Sequence, residues 1–361
     1  MKLKVLKANS GDCLLLSWEY NNKKINILID GGTTDTYKKG WILGDLFHTL
    51  KSIDKNNENI DLLIVTHVDS DHIGGVLNAF KGDGLLGKLC KKVWFNSGKL
   101  IHEYFNQQHD ESHEIELEKI RTGKEDDDFT SITQGVTFEK IIQHLNIWER
   151  QLILAGQEYN FNGAKINILS PTTTKIAALL KKWKKENPDS LTAKGKDDYG
   201  QSLLQLIEND SFKEDAAPHN GSSIAILFEL NDKKILFLGD AHNQTIVDSI
   251  RSMKDSQEEK YSEDNKLNLD YVKISHHGSS HNTSNELLGI INTNNFIIST
   301  NGCTHNLPNK STLARIHHKF PTSTIWFNYA SLIDKIFTPN ERRELRERGL
   351  SLCAIEDEFE L

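Results

Sequence analysis

The segment Thr66-His67-Val68-Asp69-Ser70-Asp71-His72-Ile73-Gly74-Gly75 places four metal-competent side chains, His67, Asp69, Asp71 and His72, within six positions. Two carboxylates and two imidazoles packed together are costly unless something cationic balances them, because buried charges need partners. One or two divalent cations would make the same cluster favourable, and this donor set suits zinc, manganese or iron. The competing explanation is a polar surface loop. Four fixed residue types of ordinary abundance arise by chance about once in several hundred chains of this length. The apolar run Leu62–Val65 immediately in front weakens the loop reading further.

Two later segments offer the remaining donors. Ile235-Leu236-Phe237-Leu238-Gly239-Asp240 reads as a strand ending in a carboxylate, and a carboxylate at a strand end can bridge two ions. Val272-Lys273-Ile274-Ser275-His276-His277-Gly278-Ser279 is a strand ending in a histidine pair. Adjacent histidines do not easily ligate one ion together from a strand end. One is expected to be a ligand and the other to support it or face substrate. Either segment alone would be an ordinary turn; the three in this order are specific.

The elements that position these groups are legible in outline. Leu3–Ala8, Cys13–Trp18, Ile25–Ile29, Leu62–Val65, Ile166–Leu169, Ser223–Leu230, Lys234–Leu238, Tyr271–Ile274 and Phe296–Ser299 read as strands. Asn21-Asn22 and Asn231-Asp232 read as hairpin turns. Trp41–Ile53 has apolar spacing near 3.6 and predicts a helix. Two strand-rich halves with helices between them predict a layered α/β sandwich, an αββα arrangement in one domain over residues 1–361. Two polar segments, about 101–165 and 172–218, read as insertions. They carry the acidic run Glu125–Asp128 and the basic cluster Lys181-Lys182-Trp183-Lys184-Lys185, both expected to be solvated surface. His102, His109 and His113 are expected in solvent, and His242, His281, His317 and His318 on the surface or at helix ends.

Composition excludes several classes. The 361 residues are 37% hydrophobic and contain no run of the roughly 18–20 apolar residues that a spanning helix needs. No early apolar run matches a secretory signal, so a cytoplasmic location is expected. Lys and Arg number 43 against 51 Asp and Glu, a net charge of -8, which is not the balance of a nucleic-acid coat. Cys13, Cys90, Cys303 and Cys353 form no CxxC pair and read as reduced thiols.

With these residues in view, the sequence resembles the metallo-β-lactamase-fold hydrolases, from the first strands to about residue 310. Asp30 in Ile29-Asp30-Gly31-Gly32 matches the acidic residue that buttresses the family's metal loop. The usual loop is His-x-His-x-Asp-His; here Asp69 stands in place of the second histidine. That departure, with Gly74-Gly75 and His276-His277-Gly278-Ser279, resembles the soluble domain of the ComEC-type DNA-uptake channel, a branch associated with metal-dependent nuclease activity. The resemblance implies two ions, Zn2+ or Mn2+, with His67 and Asp69 on one, Asp71, His72 and His276 on the other, and Asp240 between them. The family's further histidine ligand corresponds to His219-Asn220-Gly221-Ser222-Ser223, where His219 and Asn220 are both candidates. Asn220, Ser222, Ser279 and His305 are expected to meet substrate. Asp71, Asp240, His277 and His305 are expected to serve catalysis, the two histidines helping the leaving group.

The implied activity is hydrolysis of a phosphodiester, DNA or RNA included, by a metal-activated hydroxide. The net negative charge suits short or single-stranded substrates, or a protein partner that delivers them. A lactonase, amidase or thioesterase on the same scaffold, and a non-catalytic metal-binding module, are the alternatives. A partner or second copy could dock on the insertions.

Overall fold

The structure is a computed structural model that describes residues 1–107, 131–183, 197–356 and 358–361. Glu125–Asp128, His109, His113, Lys184 and Lys185 lie outside the described residues.

Period-two alternation builds the layers. Leu14, Leu16 and Trp18 of the strand Leu14–Tyr20 face one way, into an apolar layer shared with Ile226, Phe228, Ile235 and Phe237 of the second half. Cys13 and Leu15 face the other way, toward a layer filled by helices. Leu227 and Leu236 do the same on the far side. Each central strand is therefore apolar on both faces, as its continuous hydrophobic run requires. The result is two sheets packed face to face with helices outside each, the αββα sandwich expected.

The first sheet has six strands in the order Phe359–Glu360, Lys2–Val5, Leu14–Tyr20, Lys23–Ile29, Leu62–Ile64, Val93–Trp94. The second has eight, in the order Ser351–Ala354, Thr324–Phe327, Asn295–Ile298, Tyr271–Lys273, Lys233–Phe237, Ala225–Leu230, Ala164–Ser170, Glu158–Phe161. The Asn21-Asn22 turn forms with positive φ at both residues, 50° and 59°, which suits a two-residue hairpin.

Some expectations shift. The helix expected over 41–53 runs from Asp45 to Lys55 and buries Leu46, Leu50 and Ile53. Trp41 and Ile42 instead sit on a small exposed hairpin, Lys38–Lys39 with Ile42–Leu43, turned by Gly40 at φ 58°. Trp41 is 97% exposed. The polar stretch 101–165 ends in the edge strand Glu158–Phe161, so this part pairs into the second sheet. His102, expected in solvent, is buried on the helix Gly98–Gln107, beside Asn106. His242 stands at a helix end as expected, capping Asn243–Ser252, and is buried there, its Nδ1 2.7 Å from Lys175 Nζ and its Nε2 2.9 Å from the Ala217 carbonyl. The strands Thr324–Phe327, Ser351–Ala354 and Phe359–Glu360 extend the sheets beyond the elements read from the sequence. Cys13 and Cys90 are buried and Cys303 is exposed; all four thiols are free. Among the described residues no helix is long and apolar enough to cross a membrane.

Candidate metal centre

The site forms where strand ends meet. Leu62–Ile64 lies parallel to Lys23–Ile29, and Lys233–Phe237, Tyr271–Lys273 and Asn295–Ile298 run parallel to one another. The chain leaving Leu62–Ile64 carries Thr66 and His67; that leaving Lys233–Phe237 carries Asp240; that leaving Tyr271–Lys273 carries His276 and His277. In α/β sheets the crevice beyond the carboxyl ends of strands is the usual place for a ligand. Two backbone bonds tie these exits together: Ile224 N–H donates to the Thr66 carbonyl (2.9 Å), and His276 N–H to the Gly239 carbonyl (2.9 Å).

Asp71 and His72 lie in the first turn of the helix Ser70–Phe80. Glycine lets that helix press against the loop after Ile29: a Cβ on Gly75 would stand 2.0 Å from the Gly31 carbonyl oxygen. Gly239 is constrained twice, by φ 49° and by the Ser223 hydroxyl, which a Cβ would meet at 2.4 Å. Gly239→Ala is expected to destabilise the protein by about 1–3 kcal/mol and to displace the adjacent Asp240. Denaturant unfolding reads the first effect; reduced metal content in the folded variant reads the second.

Asp240 is the hub. Its Oδ1 lies 3.4 Å from His72 Nε2, and its Oδ2 lies 3.8 Å from the Nε2 atoms of His67, His276 and His277. His277 Nε2 is also 3.4 Å from Asp71 Oδ2, and His67 Nε2 is 3.5 Å from Asp69 Oδ2. Behind this ring of donors, Asp30 accepts from Thr66 N–H (2.8 Å), from the Thr66 hydroxyl (2.7 Å) and from His72 Nδ1 (2.8 Å). Asp30 thus fixes the tautomer of His72 and leaves its Nε2 lone pair facing Asp240. Such supporting carboxylates typically contribute 10–100-fold in metal affinity. Asp30→Asn is expected to weaken metal binding by about that factor, as read by titration of metal-stripped protein.

Without a metal, protons must balance these carboxylates. Burial pushes the Asp240 carboxyl up, but the rings of His72, His277 and His276 outweigh it and hold the group well below the usual range. Burial likewise pushes His72 down, and Asp240 and Asp30 more than reverse this. Burial raises the Asp69 carboxyl, and His219 and His67 bring it well below the usual carboxylate value. Nε2 of His67, His72 and His277, and Oδ1 of Asp240, are buried with no hydrogen-bond partner among the described residues. Buried polar atoms are nearly always satisfied. Four convergent orphans, all of them lone-pair donors when the rings are neutral, fit a cation. His67, His72 and Asp240 bring their donor atoms within 4.8 Å of one another, as do Asp71, His72 and His277.

The structure also places the other expected residues. His277, expected to help the leaving group, stands inside the ring of donors. His219 lies beside Asp69, with Nδ1 3.2 Å from Oδ1. Asn220 donates to Asp215 Oδ2 (2.7 Å). Ser222 is buried and its hydroxyl bonds the His219 carbonyl (2.6 Å); the Ser279 hydroxyl accepts from His281 N–H (3.2 Å). His305 is exposed, and no hydrogen bond or ion pair joins it to the donor ring among the described residues.

Sequence reasoning missed Asp12, Lys273, Asp215 and Asn282. Asp12 and Lys273 form an ion pair that is 1% exposed on both sides, with Asp12 Oδ1 3.4 Å from His277 Nδ1. Gly11-Asp12 repeats the Gly239-Asp240 pattern at a strand boundary, and a lysine inside Tyr271–Ile274 is unusual in an apolar run; together they were a usable signal. Nothing in the sequence marks Asp215 or Asn282.

Residues 9–142 match the sequence profile of the metallo-beta-lactamase superfamily. The layering described above is the metallo-beta-lactamase fold. Among solved structures, Zn(2+)-bound PqqB from Methylobacterium extorquens aligns over 100% of both chains at 9% identity and a TM-score of 0.41. CmlA, a diiron β-hydroxylase from Streptomyces venezuelae, aligns with 99% of this chain at 10% identity and a TM-score of 0.41; the alignment spans only 53% of CmlA. The metallo-beta-lactamase fold protein YhfI from Bacillus subtilis aligns over 99% of this chain and 98% of its own at 9% identity and a TM-score of 0.37. No curated protein matches the sequence.

Proposed function

We propose that this chain is a metal-dependent hydrolase that cleaves phosphodiesters, with nucleic acid or nucleotides as the substrate class. The observation that carries the reading is Asp240, a single buried carboxylate with Oδ1 3.4 Å from His72 Nε2 and Oδ2 3.8 Å from the Nε2 atoms of His67, His276 and His277. A carboxylate shared among these histidines would help hold divalent ions, whose chemistry suits displacement at phosphorus. Divalent ions bound there supply a water acidified toward neutrality and a Lewis acid for the phosphoryl group. Asp71, His72 and His277 would hold one ion, and His67 and Asp69 the other.

The chain's own residues set the character of the site. Three aspartates, Asp69, Asp71 and Asp240, make it richer in carboxylate than an all-histidine centre, which shifts preference toward manganese. Asp69 in place of histidine is also the feature that resembles the DNA-uptake branch. Asp30 and Ser299 orient His72 and His277 from behind, so the donor ring is organised before any ion arrives.

The test is hydrolysis of bis(4-nitrophenyl) phosphate and of linear single- and double-stranded DNA, using metal-stripped protein resupplied with Mn2+ or Zn2+. Cleavage that requires metal and disappears in Asp71→Ala is the expected result. Two bound ions with no phosphodiester cleaved would overturn it in favour of a lactone, amide or thioester. Failure to bind metal would leave a non-catalytic module.

A further inference from the structure

Trp41 is 97% exposed, Ile42 71% and Leu43 38%, three consecutive large apolar side chains held in solvent. Single exposed apolar residues need no explanation, but a contiguous group marks a contact surface. The hairpin that carries them is firmly anchored, although a two-stranded hairpin by itself is marginal in water. Asn78 Nδ2 donates to the carbonyls of Lys38 (2.8 Å) and Thr34 (3.1 Å), and Gly44 N–H donates to the Tyr37 carbonyl (2.9 Å). Tyr37 is buried, its ring 5.5 Å from that of Phe47 and its hydroxyl accepting from Leu85 N–H (3.1 Å). The tip, Gly40-Trp41, therefore stands out from a fixed base.

That base is continuous with the donor loop. Asn78 belongs to the helix Ser70–Phe80, whose first turn carries Asp71 and His72. At about 1.5 Å per residue it stands about 10 Å beyond Asp71 along the axis. On the same helix Gly74 admits the 33–36 segment, since a Cβ there would stand 2.8 Å from Thr34 N. Asn9 Nδ2 donates to the Thr33 hydroxyl (2.8 Å), and Gly11 presses so closely on the Asp71 carbonyl that a Cβ has no room. The hairpin is thus a rigid projection beside the metal centre.

Its chemistry is mixed in a particular way. Lys38 pairs across the hairpin with Leu43, and Lys39 with Ile42. Cross-strand partners share a face, so each face presents one ammonium and one apolar side chain, with the indole at the tip. Lys38 has no ion-pair partner among the described residues. Lys39 pairs with Asp35 at 2.7 Å, an exposed contact that a phosphate can replace because such pairs contribute little. A bilayer favours an apolar face segregated from its lysines. Charge and flat ring in alternation instead match a single nucleic-acid strand, which is held by cationic groups on its phosphates and aromatic rings under its bases. We propose that Trp41, Lys38 and Lys39 form a docking point for single-stranded nucleic acid, with an unpaired base stacked on Trp41 and the adjoining phosphates on the two lysines. This rests on the phosphodiesterase reading of the metal centre and narrows its substrate to strands with unpaired bases.

Binding is measured by fluorescence anisotropy of a labelled oligodeoxythymidylate about 12 nucleotides long, using the full chain with a chelator present so that no cleavage intervenes. Wild type is expected to bind this strand more tightly than the same strand paired with oligodeoxyadenylate. Trp41→Ala is expected to bind it about tenfold more weakly, and Trp41→Phe to recover most of the loss. On a strand of equal length made of abasic sites, wild type and Trp41→Ala are expected to bind alike, because only a base can stack. Lys38→Ala is expected to flatten the slope of log affinity against log salt by about 0.7. Circular dichroism checks that each variant folds. No binding by wild type, or equal affinity of wild type and Trp41→Ala for the thymidylate strand, would overturn the proposal. So would Trp41-dependent sedimentation with phosphatidylserine–phosphatidylcholine vesicles, or a dimer dispersed by Trp41→Ala, where strand binding does not depend on Trp41; the hairpin would then belong to a membrane surface or to a second copy. A strand bound through Trp41 but left intact when Mn2+ or Zn2+ is resupplied would refute the proposed function alone. Cleavage of bis(4-nitrophenyl) phosphate without Trp41-dependent strand binding would refute this proposal alone.

Discussion

Removing Asp240 is expected to abolish the stabilisation that metal confers on this protein. An ion that binds only the folded state contributes RT ln(1 + [L]/Kd), about 4 kcal/mol for one site at a thousandfold excess over Kd. At about 2 °C per kcal/mol for a chain of this size, that raises the melting temperature by about 8 °C. Asp240 is the one carboxylate that faces the Nε2 atoms of His67, His72, His276 and His277 together. Asp240→Ala therefore weakens both candidate sites at once, and its melting temperature is expected to rise by less than about 2 °C under the same conditions. Thermal unfolding of stripped and Zn2+-loaded protein measures both. A full upward shift in the variant would show that Asp240 is not the shared ligand.

The second large effect is expected at Lys273. Its ammonium pairs with Asp12 where both side chains are 1% exposed. Breaking a buried pair by deleting one partner typically costs about 3–5 kcal/mol, because the remaining charge is left uncompensated. Lys273→Ala is expected to fall in that range in urea unfolding. Replacing both groups, as in Asp12→Leu with Lys273→Met, is expected to recover much of the loss, since two apolar groups leave no stranded charge. Equal losses in the single and double variants would show that the pair is not coupled. The pH dependence follows from Asp12. Burial pushes its carboxyl up, but Lys273 and then His277 bring it below the ordinary value of 3.8. A depressed carboxyl stabilises the fold above its unfolded value and loses that contribution as pH falls toward the folded one. The difference between wild type and Lys273→Ala is therefore expected to be full near neutrality and to shrink below about pH 4.

Much of this molecule was legible as one-dimensional pattern. The strands around Cys13–Leu16 and Ile235–Leu238 announce themselves through continuous apolar runs, because a segment buried on both faces has no polar side to show. Asn21-Asn22 marks a hairpin because asparagine tolerates positive φ. His67, Asp69, Asp71 and His72 stand within six residues, so local spacing alone identifies a metal-competent loop. Where spacing was the only guide, it misjudged the helix start: Trp41 fits the apolar period, but Gly40 and Gly44 place it on a hairpin.

The roles of His276 and His277 belonged to the tertiary structure. Their side-chain directions depend on two left-handed residues, a conformation with no signature in the order His-His-Gly-Ser. The same holds for Asp215 and Asn282, which meet His276 across 61 and 6 residues of chain, and for Asp12 and Lys273, 261 residues apart. Residue types and local periodicity are properties of neighbours along the chain, and they determined the strands and the metal-competent donor loop. Which nitrogen faces which oxygen depends on contacts between strand ends brought together by packing, and only the folded chain decides those.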